Sequence, residues 1–433
     1  MNLYLGLDAS TQSISGILID LDDGRIVADE SVQFSDFPEF DCPQGFLPND
    51  NPLVKHADPL VWLAGLEKLL AKLRDGGIDL AAVRAVSGSG QQHGTVYLNR
   101  AFLDPASRDS SRGLVAMVRP MLSRATAPIW MDSSTTAECR EITETVGGSE
   151  YVQTVTGSPA VERFSGPQIR KFYKDDPEAY DNTAAIHLVS SFLASILAGT
   201  NAPIDLGDGA GMNLLNLVEA DWDDTILDAT APELRERLPA AVPSDHVVGR
   251  IADYFVSTYG FSPDAEVIAW SGDNPNSLIG VGAYAPGTAV ISLGTSHTYF
   301  AAMTEPQVDP NGYGHVFGNP AGGFMSLICF KNGALAVEEV RQKHGLSWEE
   351  FSECLSGTPP GSNGNMMLPY FVPEITPLVL EAGAVRQGTP EFERGQDAAA
   401  SVRAVVEAQA LRLRLHSLWI KDEPQTVRIT GGA

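Results

Sequence analysis

Apolar runs broken by short polar turns recur along this chain, and two of them share one form. Tyr4 to Leu7 is an apolar run, Asp8-Ala9-Ser10-Thr11-Gln12-Ser13 a small polar turn, and Ile14 to Ile19 an apolar return. Far downstream, Ala289 to Leu293 leads into Gly294-Thr295-Ser296, and Thr298 to Met303 returns. Each reads as a β-hairpin. A lone hairpin is as readily an ordinary edge feature. Two of them, in different halves and each with a Ser-Thr or Thr-Ser pair at its tip, point to a duplicated unit. Small turn residues also let backbone N–H groups approach an anion closely, and phosphate is the usual anion.

Between the hairpins the periodicity alternates between strand and helix. Asp58-Pro59 opens a helix whose stripe Leu63, Leu66, Leu70, Leu73 stops at Gly76-Gly77. Val83 to Val86 reads as a strand that exits into the loop SGSGQQHG, residues 87 to 94. That loop lacks the GK[ST] of a P-loop and the GxGxxG spacing of a dinucleotide site. It offers Gln92 and His93 at a strand exit, donors suited to sugar hydroxyls, although a histidine in such a loop is more often structural. Residues 100 to 128 read as an excursion with one short helix, and Ile186 to Leu197 as a buried helix. Arg163, in Glu162-Arg163-Phe164, reads by itself as a surface ion pair of little worth. The turn Asp205 to Met212 carries two acids without calcium-loop spacing, so Asp208 is expected to be solvated. Val267 to Trp270 reads as a strand that turns at Gly272 and presents Asp273 and Asn274 before a helix beginning at Pro275. A carboxylate there, at a strand end and helix start, sits where α/β proteins place reactive groups. Pro239 to Ser244 resets the pattern, which predicts domains over 1–244 and 245–433. In the second, helices are expected over Gly333–Lys343, after an N-cap at Ser347, and over Gly395–Ile420, with a last strand at Val427–Thr430.

At 433 residues, two domains are the natural expectation. The charge of −26, from 55 acidic and 29 basic residues, argues against nucleic acid or anionic membrane as partner. Phosphate must then be held locally, by backbone amides and a metal. Four cysteines without CxxC spacing suit a reducing compartment. The most apolar run, Ile186 to Ala198, is too short to span a bilayer. These features predict a cytoplasmic protein whose oligomeric state, homodimer included, stays open.

The segments GLDASTQS, SGSGQQHG, PIWMDSSTTAECR, ERFSGPQI, DGAGMNLL, SGDNPNSLIG, ISLGTSHTYF, LICFKNG and RITGGA resemble, in the same order, the FGGY carbohydrate kinases, and among them the group acting on xylulose. The resemblance runs along essentially the whole chain. It implies an α/β fold of two duplicated actin-like ATPase (ribonuclease H-like) domains with an inter-domain cleft, a sugar-binding first domain and a nucleotide-binding second one. It implies phosphoryl transfer from ATP, with Mg2+, to a ketopentose hydroxyl, O5 of D-xylulose in the first instance. By the same resemblance Gln92, His93, Arg163, Asp273 and Asn274 bind the sugar and Asp273 is the base. Asp8 holds Mg2+ through water, Thr11 and Gly294-Thr295-Ser296 contact phosphates, and Trp348 and Gly432 lie against the adenosine. The helix GPQIRKFYKDDPEAY lacks the tryptophan usual in the family's first signature. The end of the last nucleotide motif is absent from these 433 residues, so the second domain reads as truncated. The alternatives are a kinase for ribulose, glycerol or another polyol, a non-sugar ATPase with the same hairpins, and a non-catalytic sugar-binding relative.

Overall fold

Strand β1 (Leu3–Ala9) turns Leu3, Leu5, Leu7 and Ala9 into the core and leaves Tyr4 and Gly6 outside, the two-residue period of a half-buried strand. In the computed structural model, which describes residues 2–109 and 111–431, β1 pairs antiparallel with β2 (Ser13–Asp20), and β2 antiparallel with β3 (Arg25–Gln33). On the other side of β1 lies β4 (Val83–Gly90), in parallel. Helix α1 (Leu60–Asp75) packs on this sheet through Leu63, Leu66, Leu70 and Leu73, and Asp58 accepts the Leu60 N–H at 2.9 Å where the helix starts. Asp58 thereby satisfies one of the donors that a helix start leaves without a partner.

The chain divides into two compact units, Met1–Ile279 with Phe317–Gly322, and Gly280–Val316 with Gly323–Ala433. The division does not fall near residue 244. Strand β7 (Val247–Arg250) pairs with β8 (Glu266–Ile268), and both β8 and β9 (Ser271–Gly272) run parallel to β4, so 245–279 completes the first unit's sheet. Two further expectations are corrected there. Ser87 to Gly90 is strand rather than loop, because it continues the β1 ladder from Gly6 to Ala9. Ile186 to Leu188 is not helix: β6 (Ala185–Leu188) pairs with β5 (Thr95–Leu98), and helix α3 begins only at Val189 and ends at Ala198. Both strands are buried at every position, so the run carried no strand period to read. The 100–128 excursion holds two short helices, Arg100–Leu103 and Leu114–Val118. Helix α2 (Ser165–Asp175) precedes β6, and α4 (Asp273–Gly280) follows β9 directly.

The second unit repeats the plan. Strand β10 (Thr288–Leu293) pairs antiparallel with β11 (His297–Met303), β11 antiparallel with β12 (Phe324–Phe330), and β10 parallel with β13 (Thr426–Thr430). Spatial order β12-β11-β10-β13 thus matches β3-β2-β1-β4, including the one parallel pairing. Helices α5 (Ala334–Lys343) and α6 (Trp348–Gly357) pack on α7 (Ala398–His416) in the same unit. Helix α7 is shorter than its apolar spacing predicted, being capped by Asp397, whose side chain accepts from Ala400 N–H. A buried ion pair, Arg412 with Glu374 at 3.0 Å, ties α7 to the loop at Asn332, which Glu374 also holds. Among the described residues no helix is long and apolar enough to cross a membrane.

Candidate active site

In the first unit the expected sugar residues and Asp8 meet at the ends of β1, β4 and β9. Asp8 closes β1, where its Oδ1 accepts from Ser89 Oγ at 2.6 Å and its Oδ2 from Ser10 Oγ. Asp273 is the first residue of α4. Its Oδ1 accepts from the Asn274 backbone N–H at 2.8 Å and from Asn274 Nδ2 at 3.1 Å, and Asn274 Nδ2 also donates to Gln92 Oε1 at 2.9 Å. Burial first, and then the neighbouring Asp8 carboxylate, raise the Asp273 pKa to about 6. Both causes penalise the charged form, and the bonds from Asn274 oppose them only in part.

His93 adopts φ +69, a left-handed conformation that non-glycine residues hold at a cost and that clusters at functional sites. Its Nδ1 donates to the Gly211 carbonyl at 2.8 Å, and its ring lies 4.4 Å from that of Phe164. The carbonyl can only accept, so in the neutral ring Nε2 is the acceptor. The Arg163 guanidinium sits 5.3 Å from the same Phe164 ring, a cation–π contact. At the tip of the first hairpin, Ser10 N–H closes the turn on Ser13 O at 3.0 Å. Thr11 Oγ accepts the indole N–H of Trp130 at 2.8 Å, which leaves its own hydrogen to donate.

In the second unit the hairpin tip Gly294-Thr295-Ser296 is braced by the start of α5. Ala334 N–H donates to Gly294 O at 2.9 Å, and Gly333 lies so close that a Cβ there would meet the His297 backbone nitrogen at 2.6 Å. An open pocket of about 860 Å³ runs from Leu293, Gly294 and Thr295 past Leu335 and Glu338 to Trp348. Trp348 opens α6 behind the Ser347 capping box, is 57% exposed, and carries the Arg341 guanidinium 5.0 Å from its ring. Gly431, beside Leu293, has φ +109, and a Cβ there would lie 2.1 Å from the Leu293 carbonyl oxygen. Gly432 lies outside the described residues.

Comparison with known proteins settles the family. The N-terminal domain of the FGGY family of carbohydrate kinases matches residues 121–280. Xylulose kinase of Rattus norvegicus is 41% identical over 438 residues, covering 99% of this chain and 81% of that protein. Xylulose kinase 2 of Arabidopsis thaliana is 40% identical over 451 residues, covering 100% and 80%. The chain belongs to the FGGY family of carbohydrate kinases. Solved xylulose kinases from Rhodospirillum rubrum and Bifidobacterium adolescentis share this FGGY kinase fold, with TM-scores of 0.82 and 0.81 at 19% and 22% identity. They cover 99% and 100% of this chain, which covers 81% and 85% of theirs.

In this FGGY kinase the first unit links Gln92, Asn274 and Asp273 by hydrogen bonds, sets the Asp8 carboxylate near Asp273, and places both His93 and Arg163 against the Phe164 ring. Gly294, Thr295 and Trp348 line one pocket of the second. Sequence reasoning missed the hydroxyls of Ser10 and Ser89 on Asp8, and misjudged the turn at 205–212. Asp205 and Asp208 are not solvated but buried, Asp208 completely. Asp132, in the segment PIWMDSSTTAECR, is also buried, where it accepts from Lys55 N–H at 2.9 Å and Gln168 Nε2 at 2.7 Å. It therefore ties the Lys55 segment to helix α2.

Proposed function

We propose that the chain transfers the γ-phosphoryl group of ATP to a ketopentose, D-xylulose in the first instance, to give D-xylulose 5-phosphate, with Asp273 as general base. The observation that carries this reading is the Asp273 carboxyl, held by Asn274 at the start of α4 with its pKa raised to about 6. Such a group is mostly ionised at neutral pH yet basic enough to take a hydroxyl proton, which is where general bases work best. Gln92, His93, Arg163 and Asn274 would hold the sugar hydroxyls, which fits their mix of donors and acceptors. The relatives named xylulose kinase, at 41% and 40% identity, support the choice of ketopentose. Thr11 and the amides of Gly294-Thr295-Ser296 would receive phosphate oxygens, and Trp348 would lie against the adenosine.

Mg2+ belongs to the same proposal, with Asp8 holding it through water. Among the described residues no group of three or more His, Cys, Asp or Glu could hold a metal. That fits Mg2+ in a kinase, where the ion rests on substrate phosphates and water with only one or two carboxylates. Ser10 and Ser89 orient the Asp8 carboxylate for this task. When bound, the ion neutralises charge on the transferring phosphoryl group. A cytoplasmic location is part of the reading, on the cysteine usage.

ADP release measured over a panel of ketoses and polyols tests the proposal. D-Xylulose is expected to give the highest kcat/KM, and a higher value for ribulose or glycerol would displace it.

A further inference from the structure

One buried acid has no part in the chemistry above. Asp208 is 0% exposed and sits behind the sugar residues in the turn Asp205–Met212. Its neighbour Asp205 is well supplied with donors: Gly207 N–H at 3.0 Å, Asp208 N–H at 2.9 Å and Ser244 Oγ at 2.5 Å. Asp208 is not. Ser190 Oγ lies 2.5 Å from its Oδ2, and among the described residues its Oδ1 has no hydrogen-bond partner. Burial and the Asp205 carboxylate hold the Asp208 pKa well above the usual carboxylate range. The proton is best shared between Oδ2 and Ser190, which leaves Oδ1 as a carbonyl-like acceptor.

The complementary donor is close by. Gln92, 2% exposed, uses Oε1 for Asn274, while its Nε2 has no partner among the described residues. A Cβ on Gly272 would meet Asp208 Oδ1 at 2.8 Å and Gln92 Nε2 at 2.8 Å, so an unsatisfied acceptor and an unsatisfied donor share the small space that this glycine leaves. From Gln92 the contacts continue through Asn274 Nδ2 to Asp273 Oδ1.

We propose that Asp208 is a positioning residue, which orients the Gln92 amide from behind so that Gln92 fixes Asn274 and Asn274 fixes the Asp273 carboxylate against the sugar hydroxyl. This rests on the reading of Asp273 as the base. Buried polar groups that act through one another are worth most when every member is satisfied, and a base displaced by a fraction of an ångström loses much of its rate.

The test measures ADP release with D-xylulose and ATP, and melting temperature by circular dichroism, on the full chain. Asp208→Ala is expected to lower kcat by about 10- to 100-fold with little change in the KM for ATP. Asp208→Asn is expected to recover most of it, because its Nδ2 replaces the carboxyl proton toward Ser190 and its Oδ1 still accepts from Gln92. In a Gln92→Ala background, Asp208→Ala is expected to add no further loss, the signature of two residues acting in series. Losses that multiply, or Asp208→Asn failing to restore turnover in a folded protein, would overturn the proposal. Should Asp208→Ala not fold, Gln92→Glu replaces it. The substituted carboxylate keeps an acceptor for Asn274 but sets two acceptors against each other, so turnover should fall and Asp208→Asn should restore part of it. Absence of that restoration also overturns the proposal. Asp273→Ala is run alongside. If it retains turnover, the base assignment fails and takes this inference with it, whereas an inactive Asp273→Ala with an additive cycle removes only the role of Asp208.

Discussion

At the scale of single residues, the sequence pointed to candidate groups for chemistry but not to the environment that tunes them. Asp273 was legible because a carboxylate between a strand end and a helix start has few structural uses. The cause of its pKa, burial beside Asp8, came only with the fold, since Asp8 is 265 positions away. Asp208 was misread for the same reason: a Gly-Asp-Gly string is usually a solvated turn, and nothing local says that Ser190 and Gln92 close over it. Three predictions belong here. Asp273→Asn should abolish phosphorylation and yet stabilise the ligand-free protein at pH 8. A carboxyl whose folded pKa is raised keeps its proton in the fold between about 4 and 6, so stability falls as pH rises through that window, and the asparagine escapes a penalty of roughly 1 to 3 kcal/mol. Thermal melts of both proteins at pH 4.0 and 8.0, in about equal buffer strength, check it: the gain should be present at the higher pH and vanish at the lower. In the unaltered enzyme kcat/KM should rise with pH through about 6 and then level. Separately, His93→Ala or Arg163→Ala should weaken sugar binding by ~1 to 3 kcal/mol, the cost of hydroxyls left without partners. Calorimetric titration would show it, and weakened ATP with unchanged sugar would move these residues to the nucleotide.

At the scale of elements, the first hairpin was readable because its strands are half-buried and so alternate, β1 being the clearest, whereas the second was readable only from its Gly-Thr-Ser turn between apolar runs, since β10 and β11 do not alternate. The elements that were misread are those buried on both faces. Residues 185–188 are apolar throughout and run straight into α3, so strand and helix shared one unbroken hydrophobic run. Ser87 to Gly90 failed differently. Its glycines suggested a loop, but they are small because a Cβ on Gly88 would meet the Trp270 ring at 2.8 Å and one on Gly90 the Ser190 backbone at 2.7 Å. Close packing, rather than turn geometry, selects them. The same reasoning yields a prediction at Gly333, which braces the second hairpin. Gly333→Ala would drive a methyl group to 2.6 Å from His297 N, and backbone there can yield only by moving the tip. The KM for ATP should rise about tenfold or more while sugar affinity is kept, since displaced amides no longer converge on a phosphate. Steady-state kinetics with each substrate varied in turn would check it, and an unchanged KM for ATP would mean that the tip does not hold phosphate.

At the scale of the whole molecule, the duplication was legible and the boundary was not. Two hairpins announced two units, but each sheet takes its parallel strand from far along the chain, and the first unit's sheet is finished only by residues 247–272. A proline-rich reset at 239–244 therefore falls inside a unit. Charge is the other property that only the whole chain has, and it leads to a prediction about the nucleotide. With 55 acidic residues against 29 basic ones, the net charge of −26 surrounds an anionic substrate with a repelling field. Among the described residues the pocket beside the second hairpin tip is lined by Glu338 and Glu339 and by no lysine or arginine, with Arg341 paired to Glu338 at 2.6 Å at its edge. If phosphates are held by backbone amides and a bound cation, short-range interactions do the holding and the long-range field opposes the approach. Salt screens the long-range part first, because the Debye length falls from about 14 Å at 0.05 M to about 6 Å at 0.3 M. Raising KCl over that range at fixed free Mg2+ should therefore leave the KM for ATP unchanged or lower it, and should leave the uncharged sugar's KM unaffected. A basic cradle behaves in the opposite way, losing affinity steeply with salt as bound counterions compete. A several-fold rise in the KM for ATP between the two salt concentrations would show that charged side chains, rather than the Gly294-Thr295-Ser296 amides, carry the phosphate.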